Sequence, residues 1–160
     1  MLARNSFAAV LLGFALSSQA CSEPVDLKQT IQVADVSSGW FDAGVVAGKN
    51  KLVPSVSFRL KKLADVDLSA LSLNIVFKRD GEDDGEDVFV QRVEFASDTE
   101  TAPITARPEF GYTGDPPQTR VQMLNNSQFR DVTAQIFAKQ SSTQWVELHR
   151  VKLARQLLTR

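Results

Sequence analysis

The sequence predicts an all-β chain, an antiparallel β-sandwich of immunoglobulin-like type with about seven to eight strands. Three observations carry that prediction. Apolar and polar residues alternate over short runs, the period of a half-buried strand. Beyond the first twenty residues the glycines stand between those runs, where tight turns need positive φ, and Pro116-Pro117 marks a loop. No long amphipathic helix is present after the first twenty residues. The chain has 160 residues, 43% of them apolar, which suits one globular domain. After a leader is removed, about 140 residues should bury roughly two-thirds of their unfolded surface, enough for a core without disulfides.

In chain order the first element is an address. Met1 to Ala20 reads MLARNSFAAVLLGFALSSQA: a positive start at Arg4, an apolar stretch from Phe7 to Leu16, and a small, polar close. That is the layout of a secretory signal peptide and is too short to span a bilayer as a helix. The only thiol of the chain, Cys21, follows directly. Leu16 to Cys21 resembles a bacterial lipoprotein signal, in which the cysteine becomes the acylated first residue. Ser18 stands where that pattern prefers leucine, and Ser18-Gln19-Ala20 equally suits ordinary signal-peptidase cleavage. If Cys21 is acylated, the resemblance implies outer-membrane placement, because Ser22 rather than aspartate follows. The expected organisation is a signal peptide at 1–20, a tether at 21–28 and a sandwich domain at 29–160.

The strands follow. Thr30 to Val36 is the first candidate, with Gly39 to Asn50 expected as a loop. From Val53 to Leu60, Val53, Ser55, Ser57 and Arg59 alternate with Pro54, Val56, Phe58 and Leu60. Pro54 lacks an N–H, so its strand is expected at a sheet edge. Leu71, Leu73, Ile75 and Phe77 alternate with Ser72, Asn74, Val76 and Lys78, and Val132 to Lys139 repeats the pattern. Further candidates are Val88 to Phe95, Pro103 to Arg107, Thr119 to Leu124 and Gln144 to Leu153. Pro116-Pro117 marks a loop, Phe110 to Pro117. Met123 to Phe129 suits one helical turn, and the tail from Leu153 to Arg160 either ends the last strand or packs across an edge.

Val53 to Phe95 also resembles the FxLYD-type and similar small immunoglobulin-like modules of bacterial envelope proteins. Phe58, Leu60, Leu71, Leu73, Ile75 and Phe77 fill the strands of that outline, and Asp80-Gly81 its charged turn. The resemblance implies a binding or spacer domain and carries no catalytic residue.

Composition narrows the chemistry. A formal net charge of −1 argues against a nucleic-acid partner bound through bulk charge. One cysteine and one histidine cannot supply a His/Cys zinc site. No phosphate-cradling glycine loop occurs, and His149 lies in a strand with no nucleophile elbow in the chain. Glu94, Glu109 and Glu147 are available carboxylates, but nothing selects a pair. Asp80, Glu82 and Asp84, with Gly85, imitate the first half of a calcium loop. Gln91 stands where the bidentate carboxylate belongs, so the alternative is a solvated hairpin tip. Trp40, Phe41, Phe110, Tyr112 and Trp145 are aromatics near turns, suited either to plugging the sandwich ends or to binding a partner or a sugar. Arg150, Lys152, Arg155 and Arg160 make the C-terminus basic, opposite in sign to the 80–87 tip.

The resulting expectation is a protein without cofactor or catalysis, exported and held at the outer membrane through Cys21. It would serve an envelope complex as an accessory subunit through protein contacts at loops or a strand edge. A secreted carbohydrate- or small-ligand-binding module is the alternative.

Overall fold

The computed structural model describes residues 25–158 apart from positions 69, 91, 96 and 98. The leader, Cys21, Gln91 and Arg160 lie outside the described residues. The chain runs α1 (Leu27–Thr30), β1 (Ile31–Val46), β2 (Lys49–Lys62), β3 (Leu71–Arg79), β4 (Gly85–Val90), β5 (Ile104–Ala106), β6 (Tyr112–Gly114), α2 (Arg120–Leu124), β7 (Val132–Gln140) and β8 (Val146–Lys152).

These strands make two antiparallel sheets of four. The first, sheet A, has the order β1-β2-β5, with β6 also paired to β2; the second, sheet B, has the order β4-β3-β7-β8. Lettered along the chain with the short β6 left out, this is A-B-E against C′-C-F-G, an immunoglobulin-like arrangement. The inner residues of the alternating runs meet between the sheets. Val56, Phe58 and Leu60 of β2, Leu71, Leu73, Ile75 and Phe77 of β3, and Ala134, Ile136 and Ala138 of β7 are all buried in one cluster. Each large side chain so buried stabilises the fold by about 1.5–3 kcal/mol. No helix among the described residues is long and apolar enough to cross a membrane.

Several expected boundaries shift. β1 continues through Gly39 and Trp40 to Val46, so Gly39 to Asn50 is half of a long strand and its turn rather than a loop. Two register shifts interrupt it, between Ala34 and Ser37 and between Asp42 and Val45, where Asp35 and Gly44 have φ of 53° and 80°. Gly39 lies mid-strand because the C-terminal tail presses on it: a Cβ there would stand 2.9 Å from the Gln156 carbonyl oxygen. Tyr112 to Gly114, expected within a loop, pairs as β6 with Asn50 to Leu52. Thr119 to Leu124 is not a strand: Thr119 caps α2 in a reciprocal capping box with Gln122.

Pro54 is not at an edge. It sits inside β2, the central strand of sheet A, opposite Trp40. The backbone N–H and C=O of Trp40 bond outward to Gln156 and Leu158 of the tail, at 2.8 and 2.9 Å. Trp40 and Pro54 are therefore a non-hydrogen-bonded pair, whose backbone polar groups point away from each other. The nitrogen of Pro54 faces the far side of β2. There β5 pairs only as far as Val56 and β6 begins at Leu52, leaving Pro54 between them. A missing N–H costs no ladder bond at that gap.

The tail is the other departure from a simple sandwich. After β8, Leu153 is buried and its N–H donates to Val132 O at 2.9 Å. The chain then crosses to sheet A, where Leu157 bridges to Trp40 in parallel. Gln156 donates its side-chain amide to Ser38 O at 2.9 Å. The outer edge of β1 is thus covered at its middle by residues 156–158.

Candidate functional site

The five aromatics singled out from the sequence do not share one surface. Trp40 is 2% exposed and meets the edge of Phe129 at a centroid distance of 4.6 Å; Tyr112 meets the same ring at 4.9 Å. These three rings pack inside the fold, at the end where β1, β6 and the segment before β7 converge. Phe110 lies beneath the Arg79 guanidinium at 4.0 Å, and Phe41 beneath that of Arg107 at 3.8 Å. Only Trp145 stands open, at 38% exposure.

Trp145 has a partner that sequence reasoning passed over. Phe89 of β4 is 61% exposed, and its ring centre lies 6.4 Å from that of Trp145. The sheet places them. Val88 and Val90 turn inward against the core, so Phe89 between them turns outward. Asn74 of β3 is registered with Phe89 on one side and Phe137 of β7 on the other, which continues the same outer face. The available signal was an aromatic between two valines in a period-two run. Trp145 reaches this face from the hairpin between β7 and β8, where Lys139 Nζ lies 4.7 Å above its ring.

A groove of about 630 Å³ opens on this face, lined among others by Ser72, Phe89, Arg92, Lys139, Ser141 and Trp145. Among the described residues, neither Arg92 nor Lys139 forms an ion pair. The groove therefore joins two exposed rings to two cations that have no carboxylate partner among the described residues. Rings of this size give rigid, amphipathic contact area, the usual anchor of a binding surface.

A second cavity, about 280 Å³, opens beside the inner aromatic group. Trp40, Phe110 and Tyr112 line it, with Arg79, Arg130 and Gln128. The Trp40 Nε1–H is buried and has no hydrogen-bond partner among the described residues. A buried donor left unpaired costs about 1–3 kcal/mol.

Three carboxylates of the acidic tip, Asp80, Glu82 and Glu86, are engaged with neighbours. Asp80 pairs with Lys152 at 3.2 Å, and Glu82 with Arg79 at 3.2 Å and Arg130 at 3.4 Å. Glu86 accepts the backbone N–H groups of Glu109 and Phe110, which ties β4 to the loop between β5 and β6. Among the described residues no group of three or more acidic, histidine or cysteine side chains is placed to hold a metal ion. Asp80 and Glu82 face different cations and do not converge with Asp84 as calcium ligands.

The basic C-terminus is likewise engaged within the chain. Arg150 binds Glu147 at 2.8 Å and holds its carboxyl below the ordinary range, with Gln135 adding a further bond. Lys152 bridges Asp131 and Asp80, and Arg155 lies 2.6 Å from Asp131. The opposed charges of the tip and the tail thus meet each other through Lys152. His149 is half-buried in β8, registered with Ile136, and Glu94 is exposed.

No protein-family model matches the chain, and no characterised protein matches it in sequence.

Proposed function

We propose that this protein is a non-enzymatic accessory subunit of an envelope complex, exported by its leader and held at the outer membrane through an acylated Cys21. It acts by gripping an extended, acid-bearing segment of a partner protein on the outer face of sheet B. The observation that carries the binding reading is the pairing of Phe89 and Trp145 beside Arg92 and Lys139, cations with no carboxylate of their own among the described residues. An apolar side chain of the partner would seat against the two rings, and a partner carboxylate would complete the two cations. The export reading rests on the leader and on the position of the only cysteine.

The test is recovery of the full chain, tagged at its C-terminus, from gently solubilised envelopes, with mass spectrometry of what accompanies it. Stoichiometric recovery of other envelope subunits is expected, lost in the Phe89→Ser/Trp145→Ser double variant. Truncating such ring anchors should weaken the contact by roughly thirtyfold or more. Recovery of the chain alone, or equal recovery with the double variant, overturns the reading. Cys21→Ser should release the protein from the membrane fraction if the acyl anchor is real.

A further inference from the structure

Among the described residues, β4 is the one sheet edge that the fold leaves plain. In sheet A, β1 is broken by two register shifts and covered at its middle by the tail, and β5 and β6 have three residues each. In sheet B, the pairing of β8 shifts register opposite Ile136 and Phe137. Bulges, short strands and covering segments are the usual means of blunting an edge against further pairing. β4, Gly85–Val90, keeps unbroken register with β3, and among the described residues no backbone hydrogen bond joins residues 86–90 to any other element. The space beside it lies along its side. A cleft of about 480 Å³ is lined by four consecutive residues, Glu86, Asp87, Val88 and Phe89, and by Arg107 and Glu109 of the connection after β5. Consecutive residues of a strand point to opposite faces, so a cleft that touches all four runs along the edge rather than over either face. The core is also unfinished there. Val88 and Val90 point inward yet stay half-buried, whereas Ile75 and Leu73, registered with them on β3, are fully buried.

We propose that this edge takes an extended, base-bearing segment of a partner protein as an added strand, so that sheet B continues into the partner. Charge selects that occupant. The carboxylates of Glu86, Asp87 and Glu109 line the cleft against one guanidinium, that of Arg107, which is stacked on Phe41 and bonded to Ser55. Asp87 is exposed and forms no ion pair among the described residues. Backbone bonds to β4 supply the affinity of such an addition, and alternate side chains supply the choice. Inward, aliphatic residues of the segment would cover Val88 and Val90. Outward, an apolar residue beside Phe89 and a lysine or arginine beside Asp87 would match the strand they join. A second copy of β4 suits the edge less well, because it would bring its own acidic residues to a cleft that is already negative. The edge asks for a base where the outer groove asks for an acid, and the two linings share only Phe89. The inference therefore goes beyond the grip on Phe89 and Trp145 and does not rest on it.

The probe is the capped peptide acetyl-TKVLVKT-amide, whose sequence reads the same in both directions and so tests addition whichever way the strand runs. Titrated into the isotope-labelled full chain, it should bind saturably below about 1 mM. It should shift the amide signals of Asp87 to Val90 and slow hydrogen exchange at alternate residues of β4. Backbone N-methyl groups on its central leucine and on the valine beside it point to opposite sides of the added strand. One of the two should therefore abolish binding and the other be tolerated. The glutamate peptide acetyl-TEVLVET-amide should bind severalfold more weakly, and Asp87→Lys, at an exposed position, should reverse that preference. Absence of saturation up to about 10 mM, equal effects of the two methyl groups, or equal binding of the lysine and glutamate peptides would each overturn the inference. Self-association of the chain in sedimentation, with the same exchange protection along β4, would also overturn it, since a second copy would then hold the edge.

Discussion

Ala47 and Gly48 join β1 to β2 with φ of 50° and 78°, the geometry of a two-residue type I′ turn. Gly48 adopts that conformation freely, whereas a side chain with a Cβ is strained there by about 1–2 kcal/mol. Asparagine tolerates it better than alanine, so Ala47→Asn should raise stability by about 0.5–1 kcal/mol, read from the urea midpoint. Gly48→Ala should lower it by about 1 kcal/mol, although nothing stands within 4 Å of the added methyl. Gly39 presents the opposite problem, one of space. Its Cβ would stand 2.9 Å from the Gln156 carbonyl oxygen and 2.9 Å from Leu158 Cδ2. The leucine can rotate but the backbone oxygen cannot, so the tail must move. Gly39→Ala should therefore cost about 1–3 kcal/mol. It should also speed hydrogen exchange at Leu158, whose N–H donates to Trp40. Normal exchange there would show that the tail accommodates the methyl and that the packing argument fails.

Between residue and fold, α2 shows how a short element is fixed by its first turn. The Thr119 hydroxyl accepts from Gln122 N at 3.3 Å, and Gln122 Oε1 accepts from Thr119 N at 2.8 Å. Thr119→Ala should cost about 1 kcal/mol. Because α2 delivers Met123 and Leu124 to the core, that loss should appear in global unfolding. A midpoint unchanged within error would mean that core contacts alone hold the turn. The T-x-x-Q signature is in the sequence, but Val121 and Met123, two residues apart, imitate the period of a strand. β3 and β7 were readable because each buries one face without interruption, which keeps their period at two. β1 was not, because its two register shifts reset the alternation and its glycine answers a tail more than a hundred residues away. The site divides in the same way. Trp145 was identifiable as an aromatic near a turn, but its pairing with Phe89 follows from the order β4-β3-β7-β8, which no local pattern encodes. Trp40 was found as an aromatic and misplaced near a turn, for the reason that hid the second half of β1.

Across the whole molecule, charge ties together parts that the hydrophobic core does not. Lys152 of β8 bridges Asp80 in the β3–β4 turn and Asp131 before β7, at 3.2 and 2.8 Å, and Arg155 of the tail meets Asp131 at 2.6 Å. Arg155 first, and then Lys152, hold the Asp131 carboxyl below its ordinary value of 3.8. Asp131 first, and then Asp80, raise the Lys152 ammonium above its ordinary 10.5. The sign of the pH dependence follows. A carboxyl with a depressed folded value contributes its full stability above the unfolded value and loses it as pH falls toward the folded one. Lys152 contributes fully below its unfolded value and is lost only as pH rises through its raised one. Stability should thus hold across neutral pH and fall below about pH 4, where the unfolded chain's Asp131 takes up a proton that the folded carboxyl still resists. Glu147, held low chiefly by Arg150, acts in the same direction. Urea midpoints between about pH 2 and pH 7 should therefore show a shallower acid limb in Asp131→Asn than in the parent chain. Added salt should weaken the effect, since Lys152 and Arg155 are exposed. The same variant cuts one side-chain anchor of the tail, the Arg155–Asp131 pair, so exchange at Leu158 should rise at neutral pH, as is expected for Gly39→Ala. An acid limb of unchanged slope, with Leu158 still protected, would show that the tail is held by its bonds to Trp40 and Ser38 without help from Asp131, and that the charges between tip and tail are only neighbours.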